Sequence, residues 1–163
     1  MSSEKTAAAA GAIGQVRFDP FAMLPFTGYN VGDYFAHWLS IGDHGNPTHL
    51  PKMFWVNWFR KDADGGFLWP GFGENLRVLR WIIERCEGRV DAEELPIGYL
   101  PLAGDLDLTD LEVTSEEISQ LLKVDRDQWR EEFEQIGEYF KSYGERLPPE
   151  LKQEHQKVAE QLA

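Results

Sequence analysis

Apolar positions along the chain switch between helical spacing and aromatic stretches that follow no period. After Asn30, residues Val31, Tyr34, Phe35, Trp38 and Leu39 recur at i, i+3, i+4, i+7 and i+8, which predicts a helix with a broad buried stripe. Asn30 is its expected N-cap, with Asp33 in the first turn, and "GDHGNPTHLPK" ends it. "MFWVNWF", 53–59, is a β-branched and aromatic run suited to a buried strand, followed by the polar loop "RKDADGG". From Glu74 to Arg85 a second helix is predicted. Val78, Leu79, Ile82, Ile83 and Cys86 cover its apolar face and Gly88 stops it. "LPIGYLP", 95–101, reads as a short extended piece, and "FDPFAMLPFTGYN", 18–30, as a packed irregular segment.

The last third reads as helices. Thr114-x-x-Glu117 has the form of a capping box and Asp125-x-x-Gln128 resembles one. Trp129, Phe133, Ile136, Phe140 and Tyr143 then alternate at spacings of four and three. Pro148 and Pro149 open a final helix in its first turn, where a missing N–H costs little. Residues 1–14, "MSSEKTAAAAGAIG", carry no apolar periodicity. They suit either a frayed tail or a mobile lid, because small residues change backbone state cheaply.

Composition narrows the function classes. The length of 163 residues fits one domain or a large piece of one, and 42% apolar content can build a core. A formal charge of −12 argues against nucleic acid and anionic membrane surfaces as partners. One cysteine excludes an internal disulfide framework. With no long apolar run and no signal peptide, the expected location is cytoplasmic. Most of the ten Phe, five Tyr and six Trp lie between Phe18 and Trp81, so the aromatic part and the charged C-terminal part are built differently.

Catalytic constellations are scarce. There is neither a G-x-x-x-x-G-K-[ST] loop nor a G-x-G-x-x-G turn, and His37, His44, His49 and His155 form no H-x-x-x-H pair. Cys86, on an apolar helix face, is expected as a small core residue, and the acidic pairs Glu93–Glu94 and Glu131–Glu132 as solvated charge. The stretch that stands out is "FLWPGFGEN", 67–75. Phe59, Phe67 and Phe72 are separated by Gly-rich loop, so they need not share the packing of one element. Phenyl rings across a slot stack on a planar base, each stack contributing roughly 1–3 kcal/mol. The Asn75 amide could donate to guanine O6, where adenine presents a competing donor. Plain core packing of these aromatics is the competing account.

"SSEKTAAAA", "DPFAMLPFTGYN", "HWLS", "LPKMFWVNWFRKD", "FLWPGFGEN" and "PIGYLP", in this order, closely resemble the C-terminal portion of GTP-dependent phosphoenolpyruvate carboxykinase. The likeness runs from Ser3 to about Pro101; residues 102–163 fit by position and length with weaker motifs. It implies a mixed α/β, helix-rich fold belonging to that enzyme's nucleotide-binding domain. The segments would be a lid at 1–17, a guanine-nucleotide pocket at 18–101 and a C-terminal helical layer at 102–163. Phe59 and Phe72 match the phenylalanines that enclose the base, with Phe67 completing the pocket and Trp58 an aromatic beside it. Asn75 matches the residue at the guanine edge, and Phe72, Gly73, Glu74 and Asn75 match the nucleotide-contact segment. Ser3, Glu4, Thr6, Ala7, Ala8 and Ala9 match the lid that closes over oxaloacetate or phosphoenolpyruvate. The chain departs from the family after Ala9: Ala10, Gly11, Ala12, Ile13 and Gly14 are uncharged, which leaves any charged lid contact there without a counterpart.

The reaction implied converts oxaloacetate and GTP to phosphoenolpyruvate, GDP and CO2, a step of gluconeogenesis. Such phosphoryl transfer needs a phosphate cradle and divalent metals. In the family a cysteine-containing kinase loop, a manganese site and substrate arginines supply these upstream of the lid, with Mn2+ and Mg2+ as the metals. None is found here, where the nearest basic cluster is Arg60–Lys61. The expectation is therefore a C-terminal fragment of a monomeric enzyme, inactive alone and partnered with the missing N-terminal part. A free-standing purine-nucleotide-binding module is the alternative, and a protein whose aromatics are only core is the third reading.

Overall fold

The computed structural model describes residues 2–4, 16–19, 23–102 and 104–163, with backbone alone for 2–4 and 16–18. In chain order its regular elements are strands β1 (Ser2–Glu4) and β2 (Val16–Phe18), helices α1 (Val31–His44) and α2 (Asn75–Cys86), strands β3 (Glu93–Leu95) and β4 (Gly98–Leu100), then helices α3 (Ser115–Leu122), α4 (Arg126–Lys141) and α5 (Pro149–Leu162). The fold is mixed α/β and helix-rich. Each pair of strands is an antiparallel two-stranded ladder, Ser3 facing Arg17 in one and Glu94 facing Tyr99 in the other. The lid segment expected at 1–17 thus contains a strand at Ser2–Glu4 that pairs with Val16–Phe18, while Thr6, Ala7, Ala8 and Ala9 lie outside the described residues.

The chain divides into two compact units. One comprises residues 1–50, 130–161 and 163; the other comprises 51–129 and 162.

In the first unit the start of α1 is clamped to the turn after α4. Asn30 caps α1 as its spacing predicts: Oδ1 accepts from the Gly32 N–H at 2.8 Å, while Nδ2 donates to the Tyr143 carbonyl at 3.4 Å. Asp33 accepts from Arg146 at 2.5 Å. Val31, Tyr143 and Leu147 form the buried centre, with Leu24, Phe35, Tyr139, Phe140 and Leu151 packed around it. Tyr143 donates to the Tyr139 hydroxyl, and burial pushes its phenol pKa above the usual tyrosine range. Buried Asp19 accepts from the amides of Met23 and Leu24 at 2.8 and 3.1 Å, which opens the short 3-10 turn Leu24–Phe26. The α1 stripe is less buried than its periodicity suggests. Tyr34, Phe35 and Leu39 are half-buried and Trp38 is exposed, because the clamp covers only the first turns of the helix. Along α4, Phe133, Ile136 and Phe140 face inward at the predicted spacing, and the His155 imidazole of α5 stacks on Phe133 at 5.6 Å.

In the second unit the run 53–59 is not a strand. It keeps the alternation of one, with Phe54, Val56 and Trp58 half-buried and Met53, Trp55 and Phe59 exposed, but no ladder pairs with it among the described residues. Periodicity reports only which way side chains alternate; a strand also needs a neighbour for its backbone N–H and C=O groups. Phe54 packs edge-on against Trp81 of α2 at 6.1 Å, and the Lys52 ammonium donates to the Arg85 carbonyl at the end of that helix. Trp81 decides which face of α2 is buried. Val78 and Ile82 flank it inward, leaving Leu79, Ile83 and Cys86 exposed, so the cysteine expected in the core is on the surface. A bulky indole removes more apolar area from water than the thiol, and it rotates the helix accordingly.

The local end signals are as expected. Thr114 and Glu117 make both bonds of a capping box on α3. The Asp125 carboxylate accepts from the amides of Asp127 and Gln128, and Pro149 stands in the first turn of α5.

Two outcomes test these packings. A Cβ at position 32 would run into the Arg146 carbonyl, a backbone atom that cannot swing aside. Gly32→Ala should therefore lower unfolding free energy by about 1–3 kcal/mol in a denaturant titration. The Thr114 amide and hydroxyl hold the Glu117 carboxyl below its ordinary pKa, and hydrogen bonds from Thr109 do the same for Asp107. A depressed carboxylate contributes stability that is full above its ordinary value and lost as pH falls through the depressed one. Stability should thus be level from neutral pH down to the ordinary carboxylate range and decline below it. In Thr114→Ala the decline should be shallower, as read from denaturant midpoints across an acid series.

Candidate functional site

The aromatic segment is formed by a tight loop followed by a glycine-rich turn, both in the second unit. Asp62 closes the loop. Its Oδ1 accepts from the amides of Asp64 and Gly66 at 2.9 and 2.8 Å, and its own N–H donates to the Gly66 carbonyl. That folding pairs Lys61 with Phe67 in an isolated antiparallel bridge, extended by a bond from the Leu68 N–H to the Arg60 carbonyl. Phe59 lies two residues before Lys61, so its ring meets Phe67 edge-to-face at 6.2 Å. The Lys61 ammonium stands 5.0 Å from the Phe67 centroid.

The chain then turns sharply. Gly71 adopts φ +129° and ψ −174°, a backbone region essentially restricted to glycine. Phe72, Gly73 and Glu74 form one 3-10 turn, and α2 begins at Asn75. Phe72 is 91% exposed, against 73% for Phe59 and 59% for Phe67. Phe26, Met53 and Leu76 are similarly exposed, so the three rings belong to a wider apolar surface of this segment. Trp58 is different: half-buried, it rests against Trp69 with centroids 6.0 Å apart.

The predicted residues are therefore only partly brought together. Phe59 and Phe67 touch, whereas Phe72 makes no ring contact among the described residues. Glu74 is held by the Arg77 Nε at 2.6 Å, and Arg77 also donates to the Asp107 carbonyl at 2.6 Å. Asn75 accepts at Oδ1 from the Trp69 indole N–H at 2.9 Å. Sequence reasoning overlooked Trp69, Arg77 and Asp62. Two lie in or beside the quoted motif, yet nothing periodic marks them, because their partners are set by how the loop closes.

Of the basic pair Arg60–Lys61, the arginine is turned away from the pocket. Its guanidinium donates to the carbonyls of Leu121 and Lys123, each at 2.9 Å, at the end of α3. Among the described residues no group of three or more His, Cys, Asp or Glu side chains converges as a metal site. Nor is any described helix long and apolar enough to cross a membrane. What the loop offers chemically is exposed flat apolar faces and, at the start of α2, an amide whose oxygen is engaged by Trp69.

Residues 1–161 match the family model described as phosphoenolpyruvate carboxykinase C-terminal P-loop domain. The chain belongs to that family. It is 50% identical over all its 163 residues to a phosphoenolpyruvate carboxykinase (GTP) of Arthrobacter sp. strain FB24, covering 27% of that protein. With the enzyme of the same name from Paenarthrobacter aurescens strain TC1 it shares 53% over 94% of its length, and with that from Neocallimastix frontalis 56% over 93%, covering 25% of each. The chain thus spans about a quarter of the length of the carboxykinases it matches.

Gly71 offers a direct check on how the carboxykinase segment presents Phe72. Gly71→Ala forces a side chain into a glycine-only backbone state and should cost about 1–3 kcal/mol, read from the denaturant midpoint by far-ultraviolet circular dichroism.

Proposed function

We propose that this segment supplies the guanine pocket and the lid of a GTP-dependent phosphoenolpyruvate carboxykinase. In that enzyme oxaloacetate and GTP become phosphoenolpyruvate, GDP and CO2. The observation that carries the reading is the edge-to-face pair of Phe59 and Phe67, followed in the chain by a glycine turn that leaves Phe72 exposed. Family membership supports it.

In this reading Phe72 and Phe59 stack on the base and Phe67 backs Phe59 edge-on. Gly73 and Glu74 hold the turn, Trp58 packs behind the loop, and Asn75 donates from its amide to the base edge. Phe72 has no ring partner among the described residues, and its exposed face is the one a base would take up. Ser3 and Glu4, with Thr6 through Ala9, belong to the lid. Closure there excludes water from the reacting enolate. The metals and the phosphate cradle come from other parts of the enzyme, together with the substrate contacts. Arg60 is bound to carbonyl oxygens, which leaves Lys61 as the cation beside the Phe67 ring.

The test is equilibrium dialysis of the chain against labelled GDP. Phe72→Ala should weaken binding by about ten-fold, within the range of one aromatic–base stack. Unchanged affinity in that variant would remove the base-stacking role. In parallel, the chain mixed with oxaloacetate, GTP and Mn2+ should form no phosphoenolpyruvate; turnover would overturn the division of labour.

A further inference from the structure

We propose that Trp69 sets the choice of purine in this pocket by holding the Asn75 carboxamide in one orientation; the inference rests on the base-pocket reading above. An asparagine amide has two chemically opposite ends. Turned one way it offers two N–H donors, which suit the O6 acceptor of guanine. Turned the other way it offers an oxygen, which suits the N6 amino group of adenine. An amide free to flip would serve both bases and discriminate between them poorly.

Here the amide has one satisfied orientation. The Trp69 indole N–H lies 2.9 Å from Asn75 Oδ1, and an indole N–H can only donate. The oxygen is therefore the end engaged, and Nδ2 keeps its two donors, which no acceptor takes among the described residues. Flipping the amide would set its NH2 against the indole N–H, donor against donor. Trp69 is 6% exposed, so that N–H has little access to water in exchange. The indole is itself fixed, its ring packed on Trp58 at 6.0 Å and 47°. Asn75 is equally constrained at the backbone, with φ −58° and ψ −29° at the first residue of α2. The bond to the indole thus holds the side chain and opposes the amide flip. Trp69 acts through Asn75 and is a positioning residue.

The experiment is equilibrium dialysis of GDP, IDP and ADP against the chain and its Trp69→Phe variant, which keeps a ring and deletes the N–H. Hypoxanthine shares O6 with guanine and lacks the 2-amino group, so IDP isolates the contact at issue. The wild-type chain should prefer GDP and IDP over ADP. In Trp69→Phe that preference should shrink about ten-fold, the worth of roughly one hydrogen bond, with ADP binding strengthened as GDP and IDP weaken. Loosened packing alone would weaken all three together. A preserved GDP:ADP ratio in a folded Trp69→Phe overturns the role of Trp69 and leaves the pocket standing. Equal binding of GDP and ADP by the wild-type chain, or none of either, overturns the pocket reading and this inference with it. Should Trp69→Phe lose its circular-dichroism signature, the wild-type indole N–H resonance decides. Slow solvent exchange that becomes fast in Asn75→Ala supports the bond, and equal exchange in both overturns it.

Discussion

The hydrogen bond from the Trp69 indole to the Asn75 amide ties together the two ends of the turn that carries Phe72. Between those ends lie Pro70, two glycines and one 3-10 turn, a stretch with few apolar contacts to order it. A large ring in solvent cannot be positioned by burial. It has to be positioned by the backbone beneath it, and the backbone here is held at its ends. Gly71 supplies the conformation that lets the chain reverse, and the Glu74–Arg77 pair holds the far side where α2 begins.

The loop before it is built by the same means. Asp62 gathers two amides with one carboxylate oxygen and so brings Lys61 opposite Phe67. Around both loops three cationic side chains are engaged with carbonyl oxygens: Arg60 at the end of α3, Lys52 at the end of α2, Arg77 at Asp107. For Arg60 and Lys52 this places positive charge on terminal helix carbonyls, which is favourable and satisfies acceptors the helix leaves open. Lys61 instead stands over the Phe67 ring.

Features governed by neighbours along the chain are legible from residue type and spacing. Asn30, Thr114, Asp125 and Pro149 stand at helix starts because capping involves residues two or three positions apart. The motif "FLWPGFGEN" likewise marks Phe67, Phe72 and Asn75, since a Gly/Pro-rich loop dense in aromatics has no structural period to serve. Readings that depend on a partner distant in sequence fare worse. The run 53–59 keeps strand alternation without becoming a strand, and the α2 stripe misplaces Cys86 because it omits Trp81 from the face. Hydrophobic spacing defines an axis of amphipathicity, but the largest side chain with a cavity to fill decides the rotation about the helix.

Spacing and residue type therefore specified the helices, their caps and the identity of the exposed aromatic loop, all of which depend on contacts a few residues long. Three matters waited on tertiary structure: that Phe59 meets Phe67 edge-on, that Arg60 is turned to α3, and that Trp69 reaches the oxygen of Asn75. Each depends on where a loop closes in space. The Asp62 turn is itself local, but which partners it brings opposite each other, and where Arg60 and Trp69 then reach, depends on contacts that residue spacing does not encode.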